Sequence, residues 1–279
     1  MRIPFWKMHG AGNDFILINA MHQPLAPSLP VITAWCRRRT GIGAEGLILL
    51  HPPRTSGHFL MQFFNPDGQE AEMCGNGARC AARLACELQV APPDMTIETA
   101  AGILRAEVLP GDGGVRLHLP EPRDCSRDQP LELAGHPPLH YAFANTGVPH
   151  AVIECEDLDR VDVDALGARI RHHVRFAPRG TNVNFITVTA PDSLRIRTYE
   201  RGVEAETLAC GTGVAAAAVT AVLRGRVVSP VIVCTAGGDR LLVAVDVLDG
   251  VPGRIILTGP AVHTFTGTLD YSGNEVPAP

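Results

Sequence analysis

Two stretches of the chain, EAEMCGNG at residues 70–77 and ETLACGTG at 206–213, share a pattern of glutamate, three residues, then Cys-Gly-x-Gly. An alanine-rich run follows each one. A thiol in the first turn of a helix meets unpaired backbone N–H groups and the positive end of the helix dipole. Both stabilise the thiolate and lower the pKa below the free value of about 8.5. Glycines beside the thiol bare those N–H groups as a seat for an anion. One such loop would mark a cysteine nucleophile, whereas two related by an internal repeat point to one small anionic substrate held between Cys74 and Cys210. A carboxylate fixed there, with a thiolate on one face of its α-carbon and a thiol on the other, can have that centre inverted. One sulfur takes the α-proton and the other returns a proton from the opposite side. The carbanion's charge runs into the carboxylate, where N–H donors act as an oxyanion hole does. The two thiols hold one proton between them, so their titration is a joint property.

The elements that must place these thiols repeat as well. An offset of 136 residues puts Glu70 on Glu206, Cys74 on Cys210, and Gly75 and Gly77 on Gly211 and Gly213. It also puts Thr99, Ala100 and Gly102 on Thr235, Ala236 and Gly238. Two strand-like runs follow in each half: ILRAEV and VRLHLP around PGDGG, then LLVAVDV and GRIILTG around LDGVPG. The runs FLMQFF and LRIRTY precede the two cysteines. A matched series at one offset marks a duplicated domain, each copy reading strand, glycine loop, helix, strand, hairpin. The second helix, VAAAAVTAVL, is apolar all round and belongs inside its domain. The first keeps Ala78, Ala81, Ala82 and Ala85 on one face and Arg79, Arg83 and Glu87 along another. The expected fold class is α/β (α+β), two similar domains each with a strongly curved sheet around one central helix, their glycine loops facing across a cleft.

A length of 279 residues fits two domains, and 46% apolar with 19% charged residues reads as globular. The net charge of −5 is spread along the chain, and beyond Arg37, Arg38 and Arg39 no basic block stands out. Nucleic acid and anionic membrane surfaces are therefore not expected partners. The segment MRIPFWKMHGAGNDF lacks an apolar signal core, and the run around Val214–Leu223 is too short for a bilayer, so the expected location is cytoplasmic.

Eight cysteines without a CxxC pair make neither a disulfide scaffold nor a redox motif. The spacing Cys74, Cys80, Cys86 turns thiols to different helix faces, and no metal is expected. Cys80 and Cys86 read as buried helix residues, and Cys36, Cys125, Cys155 and Cys234 as buried too. The only lysine is Lys7, which leaves pyridoxal chemistry one possible anchor. GIGAEG at 41–46 fits a dinucleotide fingerprint, but WCRRRT precedes it and LILL follows, the wrong elements for that site. No cofactor is expected.

The motifs KMHGAGNDF, FNPDG, CGNGARC, TNVNF, YERG and ACGTG, in that order between Lys7 and about Gly267, make the chain resemble the diaminopimelate epimerases. These are cofactor-independent enzymes of lysine and peptidoglycan precursor synthesis, converting LL-2,6-diaminopimelate to the meso form. The resemblance implies a homodimer of two pseudo-symmetric domains, each a barrel-like, mostly antiparallel sheet around its helix. The domains would be residues 1–119 with 265–279, and 120–264. Cys74 and Cys210 match the family's catalytic pair, and Gly75, Asn76, Gly211 and Thr212 its holders of the reacting carboxylate. Asn13, Asn65, Asn182, Glu200 and Arg201 match other substrate contacts. His150 matches a histidine that, with Glu200, sets the thiols' protonation.

Some of these residues have plainer readings: His9 and Gly12 as a turn, His150 as a loop histidine, Asn182 as a turn residue, Arg201 with Glu200 as a surface pair. Gly46 stands where many members carry a substrate-contacting Gln, and Val148 where many carry Asn. The stretch GVEAETLA before Cys210 is one residue longer than in familiar members. These departures keep open a related racemase of another amino acid. From other classes there remain a non-catalytic amino-acid-binding protein and a thiol redox protein.

Overall fold

The computed structural model describes residues 1–71, 73–111 and 114–273. The chain forms two compact units, Met1–Leu117 with Gly259–Pro279, and His118–Thr258. Of the returning segment expected at 265–279, residues 274–279 lie outside the described residues.

The first unit begins β1 (Arg2–Gly10), β2 (Asn13–Asn19), α1 (Leu29–Cys36), β3 (Leu47–His51), β4 (Phe59–Phe64) and β5 (Glu70–Ala71). It continues α2 (Gly75–Glu87), β6 (Asp94–Thr99), β7 (Gly102–Val108) and β8 (Val115–Leu119). The second opens with β9 (Arg123–Leu131) and then repeats the series: β10 (Leu139–Asn145), β11 (Pro149–Glu154), α3 (Val163–Arg171), β12 (Asn182–Ala190), β13 (Ser193–Glu200) and β14 (Ala205–Thr207). It ends α4 (Gly211–Leu223), β15 (Val231–Cys234), β16 (Arg240–Leu248) and β17 (Val251–Gly259), after which β18 (Val262–Asp270) rejoins the first unit.

Pairings repeat with the elements. β1 and β2 form an antiparallel hairpin, as do β10 and β11. Helix α1 carries the chain from β2 to a parallel β3, and α3 from β11 to a parallel β12. Around the cysteine helices β4 lies parallel to β6, and β13 to β15. The outer strand of each hairpin gains an antiparallel partner, β18 on β1 and β9 on β10. The duplication seen in sequence is a duplication of fold that reaches upstream into both hairpins.

Small residues let sheet curve around helix. In α2, Gly77, Ala78, Ala81, Ala82 and Ala85 are buried, and the helix packs on β1, β2, β3, β4 and β7. A Cβ on Gly10 would lie 2.9 Å from the Asn76 carbonyl, so β1 passes close to the start of α2. Helix α4 is enclosed by β9–β13, β15 and β16, and only Thr212 and Val222 escape full burial. No helix among the described residues is long and apolar enough to cross a membrane. Strands between two helices are apolar on both sides, as in Phe15–Ile18 and Leu47–Leu50, whose outer faces join a second core with Val31, Ile32 and Trp35 of α1.

Three expectations need correction. Arg79, placed on the polar face of α2, is fully buried, because its guanidinium donates to Asn76 Oδ1 and to the Gly75 and Pro260 carbonyls. Cys36 and Cys80 are buried, but Cys86, Cys125, Cys155 and Cys234 are half-buried. Of these, Cys125, Cys155 and Cys234 lie on or beside strands with one open face. The turn read as LDGVPG is tighter: Asp249 and Gly250 alone form it, at φ 50° and 77°, and Val251 and Pro252 belong to β17. In the matching PGDGG turn, Asp112 and Gly113 lie outside the described residues.

Candidate active site

Cys74 is the N-cap of α2, extended at φ −132° and ψ 118°, and its Sγ accepts the Gly77 N–H at 3.4 Å. The sulfur thus meets a backbone N–H at the positive end of the helix dipole. Gly75 and Asn76 form the first turn and are buried. Asn76 presents Oδ1 to Arg79 at 2.8 Å, so its side chain is fixed from within the unit. Six residues along the same helix, burial pushes the Cys80 thiol up to about 12. Cys80 lies inside the helix, away from the N-terminal N–H groups that Cys74 meets at the cap.

Asn13 reaches this loop from the hairpin. Ala11 and Gly12, at φ 56° and 79°, make the two-residue turn between β1 and β2, so HGAGND is a turn that also delivers Asn13. Its Oδ1 lies 3.8 Å from Cys74 Sγ, and its Nδ2 donates to Glu45 Oε2. Around it Asp14 binds Lys7 Nζ and Arg38, which also reaches Glu45. Burial works to raise the Asp14 carboxyl, but its bonds to Arg38 and Lys7 outweigh this and leave it below the usual range. Burial and the Asp14 charge push Glu45 up. Lys7, the one lysine, is thus engaged with Asp14. This charged cluster was not read from sequence; ND beside GAEG was its only signal. Asn65 is exposed at the start of a turn, its N–H bonded to the Gln69 carbonyl.

GIGAEG follows α1 and precedes β3, the reverse of a dinucleotide loop. Gly46 has a packing reason: a Cβ there would lie 2.5 Å from the Phe63 ring and 2.6 Å from the Phe64 carbonyl. Glutamine has no room in this frame.

In the second unit Cys210 stands at the N-cap position of α4, also extended, at φ −116° and ψ 109°, but without a side-chain cap hydrogen bond, and it is 8% exposed. Its Sγ lies 3.5 Å from Thr212 Oγ1, which is 3.0 Å from His150 Nε2. His150 is fully buried; burial and the Arg201 charge bring its pKa down to about 3, so the ring is neutral. The Thr146 hydroxyl donates to the Thr212 carbonyl at 2.8 Å and steadies the loop. Asn182 sits beside His150 in the β11–β12 register. Its Nδ2 donates to the Pro149 carbonyl at 3.0 Å and its Oδ1 accepts the Arg201 N–H at 2.8 Å, so it clasps the turn that carries Arg201. Glu200 ends β13 and accepts the Thr207 hydroxyl at 3.1 Å. The longer GVEAETLA stretch holds β14 and a tight turn in which Glu204 accepts the Gly202 N–H.

The second unit thus gathers Cys210, Thr212, His150, Asn182, Glu200 and Arg201, and the first gathers Cys74, Gly75, Asn76 and Asn13. Sequence reasoning missed Asn184, fully buried between His150 and Thr198. TNVNF held the signal, because residues two apart on a strand share a face.

The fold is that of solved structures described as a probable proline racemase from Agrobacterium radiobacter K84 (TM-score 0.73, 18% identity, covering 96% of this chain and 93% of that one) and a predicted epimerase from Pseudomonas aeruginosa (TM-score 0.68, 18% identity, 97% and 100%). Each half sets a cysteine at the N-cap position of a buried helix, and the family match makes the chain an isomerase of the epimerase kind. The diaminopimelate epimerase family model matches residues 5–119 and 142–264. Relatives named diaminopimelate epimerase are 41% identical over 275 residues in Aquifex aeolicus (95% of this chain, 97% of that protein) and 44% over 265 in Chlorobaculum tepidum (94% and 99%). The chain belongs to the diaminopimelate epimerase family.

Proposed function

We propose that the protein epimerises LL-2,6-diaminopimelate to the meso form by a two-base reaction without a cofactor, as an isomerase of lysine and peptidoglycan precursor synthesis. One observation carries the two-base part: each unit sets a thiol at the N-cap of its central helix. Cys74 and Cys210 serve opposite faces of the α-carbon. A thiolate removes the α-proton, the opposite thiol delivers its own, and the pair ends each turnover with its protonation exchanged. The baring of N–H groups by Gly75, Asn76, Gly211 and Thr212 gives the reacting carboxylate its seat and takes up the carbanion's charge. Arg201 with Asn13, Asn65, Asn182 and Glu200 reads the rest of the substrate. His150 and Glu200 set the protonation of the sulfurs, and the working form is a cytoplasmic homodimer.

The test is exchange of the substrate α-hydrogen with heavy water together with turnover. Cys74→Ala and Cys210→Ala should each abolish inversion, and the double variant should be scarcely worse than either, since groups acting as a unit are non-additive. Near wild-type turnover in either single variant would refute the two-base reading.

A further inference from the structure

Behind Cys210 lies a buried polar chain whose hydrogens are fixed by backbone chemistry. The Ala151 carbonyl can only accept, and it lies 3.1 Å from Asn184 Nδ2, while the Thr198 hydroxyl lies 3.0 Å from Asn184 Oδ1. The amide is therefore oriented, and its other Nδ2 hydrogen is directed at His150 Nδ1, 3.1 Å away. A ring nitrogen that accepts carries no hydrogen, so the neutral imidazole holds its proton on Nε2. Nε2–H donates to Thr212 Oγ1 at 3.0 Å, and the hydroxyl's own hydrogen turns to Cys210 Sγ at 3.5 Å. Gly213 leaves space for this arrangement: a Cβ there would lie 2.4 Å from Asn184 Oδ1.

We infer that Asn184 is a positioning residue for the reaction. By holding His150 in its Nε2–H form, it aims the Thr212 hydroxyl at Cys210 and favours that sulfur as the thiolate. The assignment rests on the two-thiol reading above and gives His150 the part of a hydrogen-bond donor, not a base. Burial and Arg201, the charged group acting on the ring, keep a second proton off it.

Asn184→Asp preserves shape but offers His150 Nδ1 only lone pairs. The ring proton then moves to Nδ1, and Nε2 draws the Thr212 hydrogen away from Cys210. Two measurements on the full-length, substrate-free protein decide the matter. In ¹⁵N NMR of labelled histidine, wild-type His150 should be protonated on Nε2 alone and the variant on Nδ1. In iodoacetamide alkylation read by peptide mapping, the pH midpoint for Cys210 should rise by about 1 to 2 units, the effect of losing one charge-assisted hydrogen bond. Thr212→Val should raise it similarly, and Asn184→Asp added to Thr212→Val should change little more. A wild-type ring protonated on Nδ1 overturns the inference. So does an Asn184→Asp shift that is the same with and without Thr212, which would be the through-space effect of the new charge. The wild-type spectrum decides even if a variant fails to fold. Neither measurement involves substrate, so failure here is distinct from failure of α-hydrogen exchange.

Discussion

His150 gives stability a pH dependence that can be worked through in numbers. The buried ring sits beside Arg201 and titrates at about 3 in the folded protein instead of 6.5. In the unfolded chain it takes its proton near the ordinary value. Between these values the unfolded state binds the extra proton, so stability falls as pH falls; above 6.5 the contribution is fully present. At pH 5 the unfolded imidazole is protonated about 30 to 1 while the folded ring is still neutral, a loss of about 2 kcal/mol relative to neutral pH. That loss hardly depends on the folded value, since any value well below 5 leaves the native ring neutral. Urea unfolding of wild type and His150→Gln at pH 7.5 and 5.0 isolates it: glutamine can still donate to Thr212 but does not titrate, and all other groups are common to both. Wild type should lose about 2 kcal/mol more than the variant over that interval. Equal losses would show that His150 is not held neutral by its surroundings.

Gly46→Gln should lower the melting temperature by roughly 2 to 12 °C, because overpacking against Phe63 and Phe64 costs about 1–3 kcal/mol; an unchanged temperature would mean the loop can yield. Glu98, bonded by the Thr55 hydroxyl and by the N–H groups of Gly57, Arg54 and Thr55, titrates down at about 2. Its contribution is present above about 4.5 and lost as pH falls toward 2, so Glu98→Gln should speed hydrogen exchange at those three amides at neutral pH, and unaltered exchange would contradict the role. Arg201→Ala should cost roughly 10- to 150-fold in kcat/KM for diaminopimelate, with Arg201→Lys recovering only part, since lysine lacks the planar fork. Equal turnover of L-lysine and diaminopimelate by wild type would show that Arg201 does not read the distal carboxylate.

The parts of the fold legible in sequence were those with strong local pattern: the two capped helices, the flanking strands FLMQFF and LRIRTY, and the hairpins. β5 and β14, at two and three residues, are too short for any periodicity to show, and they exist because β4 and β13 offer them free edges. Arg79 looked like a solvent-facing residue because helical spacing cannot reveal that the Pro260 carbonyl, 181 positions away, waits inside. Asn182 and Asn184 were equally visible as letters, yet only the strand pairing shows that one clasps the Arg201 turn and the other orients His150.

The pairing of β1 with β18 bears on how the chain is made. It runs from Arg2↔Asp270 to His9↔Val262, so β1 waits for a partner made about 250 to 270 residues after it. At about 5–20 residues per second the delay is on the order of 10 to 50 seconds, during which one edge of β1 has no neighbour. Residues 118–258 have all emerged by then. The half that carries Cys74 is therefore begun before the other half and completed after it, and the waiting edge of β1 is open to wrong pairing in between.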